Sequence, residues 1–359
     1  MLQGAGPWGT GPYKLVDGFS LPDKRTDQVI LEANPEYWDT TRLPRLHRII
    51  FDNTLAQRDA VELVKTGEGH VDLVSELSPL ETLRVAESSF AKVVKNRDNT
   101  GYLFGQFNMR KAGSPWRDVR LRQAANMAIN RDDLIRYATK GNGVIVPALL
   151  AVNTFGYDPT LTPYAFDPVK AQALLREAGH PDGLALTLIA PSALEVQATV
   201  VGKMLEQVGF TVERQLLEPA VYNQKTDFRA LDQPAEQQAW DIALTSFNDL
   251  TNFPAIQPYQ RFALDGPIDW VIEEPELQQL YTQVLHTVDR EHQQALIRQM
   301  ERHTRDQAYF LFLYNPIKLF AVNKAVEFVL YRTTILNLTE TWVTEQHWSV
   351  RKQKATGPE

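Results

Sequence analysis

A two-domain α/β protein is what this sequence predicts, and three observations carry that reading. The chain has 359 residues, more than a single hydrophobic core usually serves. Its first hundred residues alternate β-branched, apolar runs with helical patterns, as α/β domains do. Residues 184–190, 193–208 and 210–217 then read strand, helix, strand, the order of a βαβ unit in a second domain.

The elements follow in order. Residues 4–13 hold four glycines and two prolines, which makes a turn-rich loop. Strands are predicted at 13–16, 28–33 and 48–51. Residues 54–66 form an amphipathic helix, with Leu55, Ala60, Leu63 and Val64 at helical spacing and Gly67 as a stop. A short strand at 71–74 comes next. Asp118 is a candidate N-cap for a helix over 119–129, and a second helix spans 132–139. Residues 141–165 are rich in Gly and Pro and are expected to run as a long loop over the surface. Asp167, Pro168 and the terminal Gly179 bracket the clearest helix, since Asp caps, Pro suits the first turn and Gly suits the left-handed end. After the βαβ segment a strand is predicted at 240–247. One or two helices fill 276–305, broken near Asp289, with an apolar stripe through Leu277, Leu280, Tyr281, Val284, Leu285 and Val288. Strands at 309–314 and 319–322 flank Asn315-Pro316. The tail from Lys352 is polar and expected to be disordered.

Composition narrows the function. Hydrophobic residues make up 43% and charged residues 23%, the balance of a water-soluble fold. A net charge of -7 without a basic run argues against a nucleic-acid partner. No apolar stretch approaches the roughly 20 residues of a membrane-spanning helix. With no cysteine, disulfides, thiolate zinc sites and cysteine nucleophiles are excluded. The first residues lack the basic and apolar regions of a secretory signal, so the protein is either cytoplasmic or exported by a signal outside this chain.

Catalytic and metal chemistry find little support. There is no Gly-x-Ser-x-Gly elbow, P-loop or dinucleotide fingerprint. The adjacent acids Asp132-Asp133 and Glu273-Glu274 read as caps or solvated surface. Arg117, Arg120 and Arg122 lie near Asp118, where surface salt-bridging is the default reading. His286, His292 and His303 are spaced by 6 and 11 residues, not the three or four that align two ligands on a helix. They read as solvated, and neither a metal site nor a cofactor is expected.

An ordered set of segments does point to a family. Gly9-Thr10-Gly11-Pro12-Tyr13 is followed by Leu31-Glu32-Ala33-Asn34-Pro35-Glu36-Tyr37-Trp38, and Gly67-Glu68 precedes Val71-Asp72-Leu73. Phe107-Asn108 leads to Pro115, Asp118-Val119-Arg120-Leu121-Arg122-Gln123-Ala124 and Ala128-Ile129-Asn130-Arg131. The run from Leu174 to Gly183 closes the set. In order and spacing, across roughly residues 9–345, the chain resembles the family 5 extracellular solute-binding proteins, the peptide-, dipeptide- and nickel-type substrate-binding components of ABC importers.

The resemblance implies a two-lobed periplasmic-binding-protein-like fold of type II, with a discontinuous first lobe, two crossing strands and solute trapped in the cleft between the lobes. Residues 1–108 would be the second segment of lobe one, 109–313 lobe two, 314–345 the return to lobe one, and 346–359 a polar tail. The crossings would fall near residues 102–107 and 310–315. In the family the Gly-Thr-Gly-Pro-Tyr segment lies well inside the chain, after an extra subdomain. Here it starts at residue 9, so an N-terminally truncated member lacking that early subdomain is expected. Location would be periplasmic or extracellular and membrane-associated in the full-length protein.

The resemblance also implies a site. In such proteins an aspartate shortly after a lobe-two strand can neutralise a peptide's α-ammonium, usually behind a Trp. Here the strand is followed by Phe247, Asn248 and Asp249, one residue short of the family spacing and with Phe for Trp. Asp249 is either that acid, forming a charge-assisted bond, or a turn former. Phe247, Phe253, Tyr259 and Phe262 could wall an amphipathic cleft or pack a long loop. The ligand-binding set is therefore Asp249, Phe247, Asn248, Phe253 and Tyr259. The expected function is capture of a peptide or similar small polar solute and its delivery to a membrane permease, with no catalysis. Alternatives are a sensory or regulatory protein on the same fold, a non-functional truncated receptor and, last, a hydrolase.

Overall fold

In the computed structural model, residues 9–20, 24–66, 69–98, 100–152, 154–248, 257–263, 266, 268–272, 274–332 and 336–356 are described. Chain order begins with strands β1 (Tyr13–Asp17), β2 (Gln28–Ala33) and β3 (Arg48–Asp52), helix α1 (Gln57–Val64), β4 (Leu73–Val74), α2 (Thr82–Ala86), β5 (Ala91–Asn96) and β6 (Gly101–Phe107). Next come α3 (Val119–Ala128), α4 (Arg131–Thr139), β7 (Gly143–Val144), α5 (Pro168–Glu177), β8 (Leu184–Pro191), α6 (Glu195–Glu206), β9 (Phe210–Leu217), α7 (Pro219–Thr226) and β10 (Ile242–Asn248). The chain finishes with α8 (Gln257–Phe262), α9 (Pro275–His286), α10 (Arg290–Asp306), β11 (Phe310–Pro316), β12 (Lys318–Asn323), β13 (Val326–Glu327), β14 (Trp342–Val343) and α11 (Trp348–Thr356).

These elements form two compact units; the chain passes between them at Asn96–Arg97, at Ile317–Lys318 and again at Tyr331–Arg332, which puts Arg332 in the second unit. Strands β6 and β11, which the sequence reading puts at the crossings, are hydrogen-bonded neighbours in the sheet of the second unit. The first unit holds two three-stranded antiparallel sheets, β1-β2-β3 and β4-β12-β5. Strand β12 returns from far along the chain to sit between β4 and β5, with Lys318 opposite Asn96 and Ala321 opposite Val74. Phe320, Val322 and Val326 form its core against Val94, Phe328 and Val343.

The second unit is built on a six-stranded mixed sheet, order β7-β11-β6-β10-β8-β9. Strands β8 and β9 run parallel and are joined through α6, the βαβ unit that the sequence predicts. Every residue of β6 is buried, so both of its faces are covered, as near-continuous apolar sequence demands. On one face Phe107 stacks on Trp116 at 4.7 Å, and Trp116 on Phe210 at 6.1 Å. On the other, Phe104 meets Phe310 edge-on at 5.3 Å. Gly105 sits between neighbours so close that a Cβ would lie 3.0 Å from Leu311 Cβ and 3.1 Å from Ile242 Cγ2.

The caps follow their sequence signals. Asp118 accepts from Arg120 N, Asn130 from Asp133 N, Asp167 from Lys170 N and Asp289 from His292 N. Asp289 is thus the cap of α10, the break expected there. Buried polar groups tie helices to sheet. Asn126 donates to Phe310 O and accepts from Phe312 N, while Arg131 donates to Phe312 O and Tyr164 O. Burial lowers the Arg131 guanidinium to about 10.

Several expectations need correction. Residues 141–165 do not run over the surface: Val146 and residues 148–151 are buried in the core, and Glu301 accepts from Leu150 N at 3.0 Å. A loop can be buried only where such partners meet its backbone. Arg122 is not a surface ion-pair residue either. It is buried and donates to Trp116 O and Gln307 O, which spend its donors on carbonyls. His303 is half-buried, with Nε2 2.9 Å from Tyr309 Oη. The polar tail is helical through Thr356.

Candidate ligand-binding site

The candidate site starts at the end of β10. This strand pairs antiparallel with β6 on one side, Asn248 opposite Gly101, and parallel with β8 on the other, Ile242 opposite Leu188. Parallel strands β8, β9 and β10 therefore end on one edge of the sheet, where open α/β sheets place their ligands. Asp241, buried just before β10, fixes the strand: Lys111 Nζ approaches it at 2.9 Å and Thr187 N donates to it at 2.9 Å.

Phe247 is half-buried at that edge. It stacks on Tyr102 with centroids 6.1 Å apart, and the Arg261 guanidinium lies 5.4 Å from its ring centroid. Asn248 is the last residue of the strand. Asp249 and Phe253 lie outside the described residues.

Tyr259, on α8, is fully buried, and its phenol donates to the Glu301 carboxylate. Burial first, and then the neighbouring Glu301, push the Tyr259 hydroxyl well above its ordinary range. Glu301 is equally buried, and that burial raises its carboxyl to about 7. The pair holds α8, α10 and the buried segment at Leu150 together. The structure thus brings Phe247 to the sheet edge and sets Tyr259 into the packing beneath α8.

Sequence reasoning missed two groups here. Glu301 lies on the stripe Ile297, Met300 and Thr304 of α10, all buried. An acid on an apolar stripe is the signal that identifies it. The second group is under β10: Thr245 Oγ1 receives Gln106 Nε2 at 2.7 Å and lies 2.9 Å from Tyr222 Oη, which is also 2.9 Å from Leu244 O. Burial pushes the Tyr222 phenol up. Gln106 meets Thr245 through the β6–β10 pairing, and Tyr222 reaches them from α7.

The described residues contain no helix long and apolar enough to cross a membrane. The sequence profile described as Bacterial extracellular solute-binding proteins, family 5 Middle, matches residues 3–266. The dipeptide-binding protein of Escherichia coli K12 is 28% identical over 185 residues, covering 51% of this chain and 32% of that protein. The glutathione-binding protein GsiB of Pectobacterium atrosepticum is 30% identical over 210 residues, covering 58% of this chain and 38% of that one. The matched region thus spans about a third of the length of these relatives.

Among solved structures, the ABC transporter substrate-binding protein CtaP of Listeria monocytogenes aligns with a TM-score of 0.78 and 22% identity, over 94% of this chain and 67% of that one. The periplasmic binding protein DppA of Helicobacter pylori, in complex with the peptide STSA, aligns with a TM-score of 0.73 and 18% identity, over 93% and 63%. The fold is that of the periplasmic binding proteins. With the family profile matched over most of its length, this chain belongs to the family 5 bacterial extracellular solute-binding proteins.

Proposed function

We propose that the chain is the solute-binding component of an ABC importer, capturing a peptide or similar small polar solute outside the cytoplasm and passing it to a membrane permease. The observation that carries this is the family match over residues 3–266. Relatives named for binding a dipeptide and glutathione support the solute class. The chemistry asked of the protein is recognition, not bond making.

In this reading Asp249 takes the solute's ammonium in a charge-assisted hydrogen bond. Phe247, Asn248 and Phe253 give the site an amphipathic wall of the kind small-molecule sites use. Tyr259 serves from beneath, by anchoring α8 to Glu301. The exit of β10 at Asn248, on the edge shared with β8 and β9, supports this placement.

Calorimetric titration tests it with a short peptide, free or N-acetylated, against the unmodified protein and Asp249→Ala. The substitution should cost about 2–5 kcal/mol with the free amine and almost nothing with the acetylated peptide. Acetylation itself should weaken binding to the unmodified protein. Additive effects in this cycle would reduce Asp249 to a turn former.

A further inference from the structure

The second unit carries a cavity of about 580 Å³ whose lining includes Thr154, Phe155, Tyr157, Arg290, Arg298 and Arg332. Three guanidiniums around one cavity are unexpected in a chain of net charge -7. Among the described residues, their polar contacts leave most of their donors unused. Arg298 Nε donates to Tyr157 O at 3.3 Å, and Arg332 Nε to Asp98 O at 3.4 Å. The Arg290 guanidinium lies 4.8 Å from the Phe155 ring centroid. None of the three forms an ion pair among the described residues, whereas nearby Arg302 is paired with Asp158.

The floor is polar as well. Thr154 is 5% exposed, and its hydroxyl has no hydrogen-bond partner among the described residues. Buried hydroxyls normally find one. Of the three arginines that line the cavity, Arg298 is half-buried and Arg290 and Arg332 are exposed. Planar guanidiniums present paired donors that match carboxylate and phosphate oxygens.

We propose that this cavity is an anion-binding site, taking a small carboxylate- or phosphate-bearing solute on Arg290, Arg298 and Arg332 above the Phe155 and Tyr157 rings. The site has a defined place relative to the sheet. Asp98, which Arg332 grips, lies just before β6, and the first residue of β6 pairs with Asn248 at the exit of β10. The anion site is thus tied to the sheet edge at which Phe247 stands. It does not depend on Asp249, because it asks for negative charge in the ligand and not for an ammonium.

The test is titration of the full chain with citrate, with inorganic phosphate and with an uncharged triamide of similar size, at low ionic strength and again at about 0.15 M salt. Citrate or phosphate should bind saturably and the triamide should not, with affinity falling as salt rises. Preference for citrate assigns a carboxylate ligand, and preference for phosphate a phosphorylated one. The exposed pair Arg290→Gln and Arg332→Gln should each weaken binding at least fivefold, and together more than tenfold, with unchanged thermal unfolding. Arg136→Gln, an exposed arginine paired with Asp133 on α4, should leave binding unchanged. Failure of both anions to saturate the protein overturns the proposal, and so does an equal loss from Arg136→Gln. Neither citrate nor phosphate carries an amine, so this result is read independently of the Asp249 cycle.

Discussion

At the scale of single residues, Glu301 is a buried carboxyl whose protonation state burial changes near neutral pH. Burial raises its carboxyl from the usual glutamate value of about 4.5 to about 7, so between those values the folded protein holds a proton that the unfolded chain has released. The protonated form is the stable one in the fold. Its contribution is complete below about 4.5 and is lost as pH rises through about 7, with a slope of at most about 1.4 kcal/mol per pH unit. Glu301→Gln keeps an acceptor for Leu150 N and removes the titration. Urea denaturation across this range should show the variant gaining on the unmodified protein between pH 4.5 and 7, then holding a constant advantage. A difference independent of pH would mean that Glu301 stays ionised beside Tyr259. Gly105 presents a second single-residue constraint. Gly105→Ala would drive a methyl against Leu311 and Ile242, an overpacking cost of about 1–3 kcal/mol in the same measurement.

At the scale of elements, Asp167 tests how directly a sequence signal becomes structure. It accepts from Lys170 N at 2.9 Å at the start of α5, with Pro168 in the first turn. Asp167→Ala should lower stability by about 1 kcal/mol, and Asp167→Asn by much less. Much of the element order was legible for this reason. Caps at Asp118, Asp167 and Asp289, and glycines such as Gly179 in the left-handed region, act within a few residues and can be read from the chain alone. Strand β5 escaped because its run, Ala91-Lys92-Val93-Val94-Lys95-Asn96, mixes lysines with valines and gains its place only from β12. Residues 141–165 misled for a related reason. Gly and Pro report backbone turns there, while burial depends on α10 reaching back to Leu150. Of the candidate site, the end of β10 was legible as a strand exit with an acid beyond it. The Glu301–Tyr259 and Gln106–Thr245–Tyr222 contacts were not, because they join residues far apart in sequence.

At the scale of the molecule, the first unit shows large apolar side chains to solvent. Trp38, Leu80 and Leu83 are each at least 70% exposed, as is half of Ile50 in the thin β1-β2-β3 sheet. Exposed apolar groups of this size promote association. The chain should bind an environment-sensitive apolar dye and self-associate at raised concentration. Leu80→Ser with Leu83→Ser should reduce dye fluorescence, as read by titration alongside light scattering. Unaltered fluorescence would place the sticky surface elsewhere.

The position of β12 between β4 and β5 bears on how the chain emerges from the ribosome. Two strands of that sheet are translated early, and the strand that joins them appears only after the whole second unit has been made. Among the described residues β4 and β5 have no other hydrogen-bonded neighbour in their sheet, so without β12 their edges are open to wrong partners. The second unit faces a shorter wait of the same kind, since β11 must slot between β6 and β7. Its βαβ core can form first, because β8, α6 and β9 are consecutive. Domains generally fold in the order in which they are synthesised. For the sheet of β4 and β5 that order is reversed: a chain cut before residue 318 should keep the sheet of the second unit while β4 and β5 lack the strand that joins them.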